Sequence, residues 1–198
     1  MVIHKPAGIL TVPGKTEDLQ DCMINRLVKL EPKTLLIHRL DRDTSGILVF
    51  GLSRWGQKSI SRQFQERQTD KTYQAIVAGH LHGQGTVDVP VIYDPSRPPL
   101  HIAELSHNKP AVTEWKAIEH FEIQGQPVTR VALTPITGRS HQLRVHMQFL
   151  GHPIVGDTLY AAPDQQDLMP RLCLHAERLS FHHPQTDERI EFICPVPF

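Results

Sequence analysis

The nine residues from His38 to Gly46, HRLDRDTSG, most constrain how this chain can fold. They lie between two short apolar runs, residues 35–37 and 47–50, whose branched and aromatic side chains are typical of buried strands. Gly46 marks a turn or bulge between those strands. Two carboxylates, two guanidinium groups and an imidazole thus meet at a strand junction, where a buried charge is costly unless it is paired. The segment is either a solvated loop with internal ion pairs or a functional site.

The composition is that of a globular protein with a substantial core. Of the 198 residues, 39% are hydrophobic and 21% charged, and the formal net charge is zero with histidine neutral. This length predicts one compact domain, and no apolar run approaches the roughly 20 residues of a membrane span. Zero net charge argues against indiscriminate binding of polyanions but is compatible with a local basic cleft. Because the first residues lack the layout of a secretory signal, we expect a cytoplasmic protein.

Cysteine and histidine spacing gives no metal-binding motif. Cys22, Cys173 and Cys194 are scattered and odd in number, which favours reduced core thiols over disulfides or zinc ligands. The thirteen histidines include no HExxH pattern, and the tightest helical pair, His141 and His146, is five residues apart and therefore on different helix faces. We expect no metal site.

The periodicity of the chain predicts more strands than helices. Apolar residues at helical spacing indicate helices over 16–31, after Ser53 and over 140–150, the last ended by Gly151. The second helix exposes basic residues that form either a solvated face or the rim of an anion-binding cleft. Strands are predicted at 73–78, 87–92, 111–118, 128–133, 171–181 and 189–194, with a hairpin around Gly125. Several strands follow one another directly, which predicts an α+β fold with a mixed, mainly antiparallel sheet and flanking helices.

A second group of polar residues lies at the start of the third predicted helix. The segment TGRSHQLRVH, residues 137–146, places Arg139 and Ser140 beside the N–H groups of a first helical turn, which favours phosphate or carboxylate binding. Taken alone, it is also the composition of an ordinary capped helix. A catalytic carboxylate such as Asp41 needs a cation to keep it ionised, and Arg144 has the reach and the planar fork for that role.

These two segments resemble the signature motifs of the RluA-type pseudouridine synthases. The first resembles HRLDxxTSG, and residues 136–146 resemble ITGRxHQLRxH. Residues 3–8, followed by Val12-Pro13-Gly14, resemble the N-K-P-x-G block of that family, and residues 71–73 resemble its K-x-Y strand. The matches follow one another in family order along nearly the whole chain, and a set of long motifs is far more specific than one short pattern.

Further segments narrow the resemblance. Residues 151–157 and 174–176 also fit the family, and residues 108–114 are most similar to its RluA branch, which modifies 23S rRNA and the tRNA anticodon arm. Two features depart from the pattern: the chain starts almost on the N-K-P block, and position 4 is His4 where asparagine is usual. With no room for an N-terminal S4 domain, we expect one catalytic domain, residues 1–198, that recognises RNA by itself.

The resemblance implies the pseudouridine synthase fold with a central RNA-binding cleft. In that reaction uracil leaves the ribose at N1, turns and is reattached through C5, a redox-neutral isomerisation that implies no cofactor and no metal. Asp41 would be the essential carboxylate, acting as nucleophile or as base toward the sugar, and Arg144 would pair with it. Tyr73 would stack on the flipped base and assist loss of the C5 proton, although its phenol has an ordinary pKa near ~10.

RNA is the partner that the resemblance implies, as 23S rRNA, tRNA or both. Flipping the target base costs on the order of a few kcal/mol, and Arg39 would fill the gap that the base leaves. Arg139 and His141 would grip backbone phosphates, whereas Arg42 and Asp43 are assigned to loop structure. We expect a monomer with no obligatory protein partner and no membrane contact.

Three other functions match single features of the chain. A non-catalytic RNA-binding module on the same scaffold would bind RNA without depending on Asp41, but the combination of Asp41, Tyr73 and Arg144 favours an enzyme. The kinase-like residues 38–41 suggest a phosphotransferase, yet the chain has no GxGxxG loop and no DFG-type aspartate. A glycoside hydrolase using Asp41 and Asp43 needs carboxyl groups about 5 Å or more apart across a bond, whereas residues two apart on a strand point the same way.

Overall fold

The apolar runs of the sequence form the central strands of the structure, a computed structural model that describes residues 1–198. In chain order the elements are β1 (Val2–Lys5), a 3₁₀ turn (Glu17–Leu19), α1 (Met23–Leu30), β2 (Leu35–Leu36), β3 (Ser45–Gly51), α2 (Arg54–Gln65), β4 (Asp70–Ala78), β5 (Gln84–Asp88), β6 (Val91–Tyr93), β7 (His101–Ala103), β8 (Val112–Ile123), β9 (Gln126–Pro135), α3 (Gln142–Phe149), α4 (Pro163–Gln166), β10 (Leu174–His182) and β11 (Arg189–Ile193). The chain forms two units. The first unit comprises residues 1–71 and 175–197, and the second unit comprises residues 72–174 with Phe198. None of the helices combines the length and the apolar character that crossing a membrane requires.

The first unit is built around β3, whose seven residues are all buried. β3 pairs with β1 on one side, antiparallel, and with β10 on the other side, parallel. β11 then pairs antiparallel with β10. Ile47, Val49, Leu179 and Phe181 of these strands pack against Ile60 of α2, which gives the unit its own core. Because strand side chains alternate between two faces, these residues mark the face that α2 covers.

Gly46, predicted to mark a turn or bulge between two strands, lies inside β3. It pairs with Lys5 of β1 and Ala176 of β10, and its φ is +114°. A Cβ at this position would lie 2.3 Å from the carbonyl oxygen of Ala176. The glycine is therefore required both for its backbone conformation and for the close approach of the neighbouring strand.

The second unit is an antiparallel sheet with strand order β4, β9, β8, β5. The predicted hairpin around Gly125 is present as β8 and β9, and Gln124 and Gly125 both take positive φ in its turn. Val77 and Leu133 of the sheet pack against Met147 of α3 in the core. Mostly antiparallel pairing with few helices confirms the predicted α+β class.

Three predicted elements differ from the structure. The helix predicted at 16–31 is a 3₁₀ turn followed by α1, because buried Cys22 lies in extended backbone and pairs with Leu10. The strand predicted at 87–92 breaks into β5 and β6 around Pro90, which has no N–H to donate to a ladder. The third helix begins at Gln142 instead of residue 140, because His141 takes left-handed backbone with φ of +56°.

Candidate active site

Asp41 lies in the loop between β2 and β3, and Thr11 fixes the residue before it. The Thr11 hydroxyl donates to the Leu40 carbonyl oxygen at 2.8 Å and accepts from the Leu40 N–H at 3.1 Å. Thr11 is buried, so one side chain satisfies both backbone polar groups of Leu40 away from solvent. The position of Asp41 is thereby fixed from its N-terminal side, while Asp41 itself is partly exposed.

Lys5 fixes the same loop from the C-terminal side of Asp41. Its ammonium donates to the carbonyl oxygens of Pro6 at 2.9 Å, Arg42 at 2.8 Å and Thr44 at 2.8 Å. Lys5 is fully buried, and these three acceptors match the three donors of an ammonium group. A buried charge with this many partners is compensated for its loss of water. Asp41 therefore lies between two anchored backbone segments, which a simple solvated hairpin would not need.

Of the other charged residues of this loop, Arg39 and Arg42 are exposed and Asp43 is partly exposed. Arg42 and Asp43 pair with each other, with 3.1 Å between Nε and Oδ1, as expected of loop structure. Such a surface pair contributes little to stability. Arg39 is exposed next to the buried Leu40, so its guanidinium lies at the protein surface.

His38 is partly buried and packs against α2. Its ring stacks on Phe64 at 4.6 Å between centroids, and its Nε2 accepts the Val49 N–H at 3.1 Å. Burial, together with the positive charge of Lys71, lowers the pKa of His38 from 6.5 to about 3. The imidazole is thus neutral at physiological pH and carries its proton on Nδ1.

The first unit is therefore expected to lose stability as the pH falls below 6.5. The unfolded chain takes up a proton at His38 as the pH falls below 6.5, whereas the folded chain does so only near pH 3. Between these pH values the free energy of unfolding therefore falls by about 1.4 kcal/mol for each pH unit. His38→Gln keeps an acceptor for the Val49 N–H and removes the titration. Urea unfolding at pH 7 and pH 5 should show about 2 kcal/mol less pH dependence in His38→Gln than in the wild type; equal pH dependence would contradict the assignment.

In the second unit, α3 holds Arg144 against a buried carboxylate. Arg144 is 2% exposed and Asp157 is fully buried. Nε of Arg144 donates to Oδ2 of Asp157 at 2.7 Å, and Nη2 donates to Oδ1 at 2.7 Å. This two-bond fork is the strongest geometry available to an arginine–carboxylate pair. Arg144 is consequently a fixed cation, and its pairing with Asp41 stays a prediction.

Tyr160 links Arg144 to His141. The Arg144 guanidinium lies 5.0 Å from the centre of the Tyr160 ring. The Tyr160 hydroxyl accepts the His101 N–H at 2.9 Å and lies 2.6 Å from Nδ1 of His141. This hydrogen bond and the edge-on contact of the two rings, 5.6 Å between centroids, hold the His141 imidazole in one orientation.

The sequence predicted that hydrogen-bond donors at the start of α3 would be available to an anion. In the structure several of these donors already bond to other groups of the protein. Oε1 of buried Gln142 accepts the Arg139 N–H at 3.0 Å and the Thr137 hydroxyl at 2.7 Å. Nε of Arg139 donates to the Pro110 carbonyl oxygen at 3.2 Å, although the residue is exposed. Part of the donor set at this helix start therefore has partners within the protein.

Tyr73 lies in β4 opposite Leu133 of β9 and packs, partly buried, against the core of the second unit. Within each unit the structure thus brings together Arg39 with Asp41 in one loop, and Arg144 with His141 around Tyr160. Sequence reasoning missed Tyr160 as well as the anchors Lys5, Thr11 and Asp157. Lys5 and Asp157 do lie in segments that resemble the family, which was the available signal.

Comparisons with known proteins show the family of the chain. A family model described as RNA pseudouridylate synthase matches residues 1–149. The dual-specificity RNA pseudouridine synthase RluA of Pasteurella multocida is 45% identical over 199 residues, and its counterpart in Escherichia coli K12 is 44% identical over 200 residues; each alignment covers 100% of this chain and 90% of the relative.

Solved structures of human proteins show the same fold. Human RNA pseudouridylate synthase domain containing 1 superposes with a TM-score of 0.83 at 33% identity, covering 100% of this chain and 80% of that one. Human RNA pseudouridylate synthase domain containing 4 gives a TM-score of 0.74 at 26% identity, covering 99% and 85%.

Proposed function

The chain belongs to the RNA pseudouridylate synthase family and is an isomerase, and on this premise we propose that it modifies uridines in 23S rRNA, in the anticodon stem-loop of tRNA, or in both. Relatives that are 44–45% identical over the whole chain are named as dual-specificity enzymes, which supports two RNA substrates. The observation that carries the proposal is the placement of Asp41 between the Thr11 and Lys5 anchors, since a catalytic carboxylate must be held in one position.

The proposed mechanism centres on Asp41. The target uridine is extruded from its helical stack at a cost on the order of a few kcal/mol, and the exposed Arg39 fills the gap. The C1′–N1 bond breaks and a C1′–C5 bond forms, with Asp41 acting as nucleophile on the sugar or as its base. The C5 proton is lost and N1 gains one, so the reaction balances without an oxidant, a reductant or an energy source.

Three residues of the second unit complete the proposed chemistry. Tyr73 stacks on the extruded base and assists loss of the C5 proton. Arg144, whose direction is fixed by Asp157, supplies the positive charge that pairs with the Asp41 carboxylate. His141 offers its imidazole to a backbone phosphate, with Tyr160 holding the ring.

RNA binding is proposed to rest on few side chains. Arg139 and His141 contact backbone phosphates, and the zero net charge of the chain makes this binding local and not general. We propose that the enzyme acts as a monomer in the cytoplasm, in a single catalytic domain with a central RNA-binding cleft and with no obligatory protein partner.

Tritium release from RNA labelled at uracil C5 tests this function directly. The substrates are a tRNA transcript, a 23S rRNA fragment and, as control, a perfectly paired RNA duplex of the same length. The proposal predicts release from at least one of the first two substrates and none from the duplex. Tight binding of all three RNAs without any release would instead indicate a non-catalytic binding module.

Lys5→Met is expected to reduce both stability and turnover. The carbonyl oxygens of Arg42 and Thr44 lose their donor, at roughly 1–3 kcal/mol for each one left unsatisfied, and the loop that carries Asp41 loses one anchor. We expect kcat for tritium release to fall more than KM rises, because the loop positions a reacting group and not the body of the RNA.

The matched control for this variant is Lys15→Met, which changes an exposed lysine of the same N-terminal segment. Its stability should stay within about 0.5 kcal/mol of the wild type. Urea unfolding and steady-state kinetics on both variants separate the two effects. A folded Lys5→Met protein with unchanged kcat would show that the Lys5 anchor does not position Asp41.

A further inference from the structure

Three potential metal ligands, His4, His175 and Cys194, lie close together in the first unit. They lie at one end of the sheet face that α2 covers. His4 pairs with Ile47, and His175 pairs with Ser45, on the two strands that flank β3. Because strand residues alternate, His4 shares a face with Val2, and His175 shares a face with Leu179. Cys194, directly after β11, packs into the same apolar cluster. The covered face thus ends in a polar row that includes His4, Ser45, His175 and Cys194.

The ligand atoms of this row are close enough to bind one ion. One nitrogen each from His4 and His175 and the Sγ of Cys194 all lie within 4.8 Å of one another. Tetrahedral Zn²⁺ with ordinary bond lengths holds such atoms about 3.3–3.6 Å apart. His175 is fully buried and Cys194 is 7% exposed, whereas His4 is exposed. Binding therefore requires the ligand atoms to move closer together, and the exposed His4 side chain has the most room to rotate.

The surroundings of His175 suit a metal ligand. One ring nitrogen, Nδ1, lies 2.7 Å from the Ser45 hydroxyl, and Nε2 lies 3.2 Å from the Cys194 carbonyl oxygen. Whichever nitrogen binds a metal, the other keeps an oxygen partner, which is how metal-bound imidazoles are usually oriented. Binding replaces one of these two hydrogen bonds. Two imidazoles and a thiolate form a donor set that favours borderline divalent ions such as Zn²⁺.

We propose that His4, His175 and Cys194 form a Zn²⁺ site in the first unit, separate from the residues assigned to RNA isomerisation. The Cys194 thiol releases one proton on binding and becomes the thiolate ligand, while water completes the coordination. The site joins β1 and β10, two strands that are not neighbours, to the end of β11. His4 takes the place of the asparagine usual in the family, so the proposed site depends on a departure from the family pattern.

Metal titration of the full chain tests the site. Protein stripped of metal by a chelator, with its thiols kept reduced, is titrated with Co²⁺ and separately with Zn²⁺. We expect one equivalent to bind, with thiolate-to-cobalt charge-transfer absorption, visible bands typical of tetrahedral Co²⁺, and a Zn²⁺-dependent rise in melting temperature. Cys194→Ser should remove the charge-transfer absorption.

His4→Asn is the decisive variant because position 4 is exposed and the change should not disturb folding. It should weaken Zn²⁺ binding by at least tenfold and abolish the thermal shift. The matched control is His82→Asn, which removes an exposed imidazole from the His80, His82 and His120 group in the second unit. Each of three results would overturn the proposal. They are wild-type protein that shows no thiolate-to-cobalt absorption, His4→Asn protein that keeps the wild-type affinity for Zn²⁺, and His82→Asn protein that loses Zn²⁺ binding.

Discussion

Asp41→Asn is expected to abolish tritium release while leaving RNA binding within a few-fold of the wild type. Asparagine keeps the shape of the side chain but is neutral and is a poor base and nucleophile. A general base typically contributes about 10²–10⁴-fold to rate, and loss of a nucleophile closes the covalent route entirely. We therefore expect a fall of at least about 100-fold in kcat. The anchors on Leu40, Arg42 and Thr44 involve no atom of the Asp41 side chain, so the loop should keep its position.

Asp43→Asn provides the matched control, because it removes a carboxylate from the same loop. Asp43 pairs with the exposed Arg42, and a surface pair of this kind is worth about 0–1 kcal/mol. Its kcat should remain within a few-fold of the wild type. Single-turnover kinetics and filter binding on both variants measure the two quantities separately. Comparable losses of kcat in the two variants would mean that the charge of the loop matters, and not a specific carboxylate at position 41.

Local patterns in the sequence were sufficient for most elements. The apolar runs on either side of residues 38–46 are β2 and β3, and the hairpin around Gly125 is β8 and β9. Such patterns work because a strand or helix must show one apolar face to the core. They fail where one residue overrides its neighbours: Cys22 draws the chain into extended backbone, and His141 delays the start of α3 through its left-handed conformation.

The anchors of the site could not be derived from local patterns. Lys5 lies 37 residues from Arg42, and Thr11 lies 29 residues from Leu40. Sequence statistics place lysine at the surface, whereas Lys5 is fully buried. The exception arises because carbonyl oxygens from distant parts of the chain converge on its ammonium group, which only the folded chain reveals.

The same limit applies to the ligands of the proposed Zn²⁺ site. Spacing rules find ligands that lie close together along one element, as in HExxH or paired cysteines. His4, His175 and Cys194 come from the two ends of the chain and meet only because β1 and β10 flank β3. The expectation of no metal site followed from spacing alone and took no account of this juxtaposition.

Asp157→Asn is expected to destabilise the second unit by about 3–5 kcal/mol, the usual cost of breaking a buried ion pair on one side. The Asp157 carboxylate accepts from Nε and Nη2 of Arg144 and also from the N–H groups of Leu159 and Tyr160. An amide can still accept from the two backbone groups, but its NH₂ faces an arginine donor and provides no negative charge. Thr158→Ala, an exposed neighbour, should change stability by no more than about 0.5 kcal/mol.

A double variant separates the structural and functional parts of this pair. The amide of Asp157→Asn keeps an acceptor for the N–H groups of Leu159 and Tyr160, and methionine at position 144 removes the donors that its NH₂ faces, so Arg144→Met combined with Asp157→Asn should recover part of the stability that Asp157→Asn loses. If Arg144 also acts in the reaction, kcat for tritium release should stay at least about 100-fold below the wild type, because the cation is gone. Recovery of both stability and turnover would assign the pair to packing alone. Recovery of stability without turnover would identify Arg144 as the cation that the reaction requires, with Asp157 as its positioning residue.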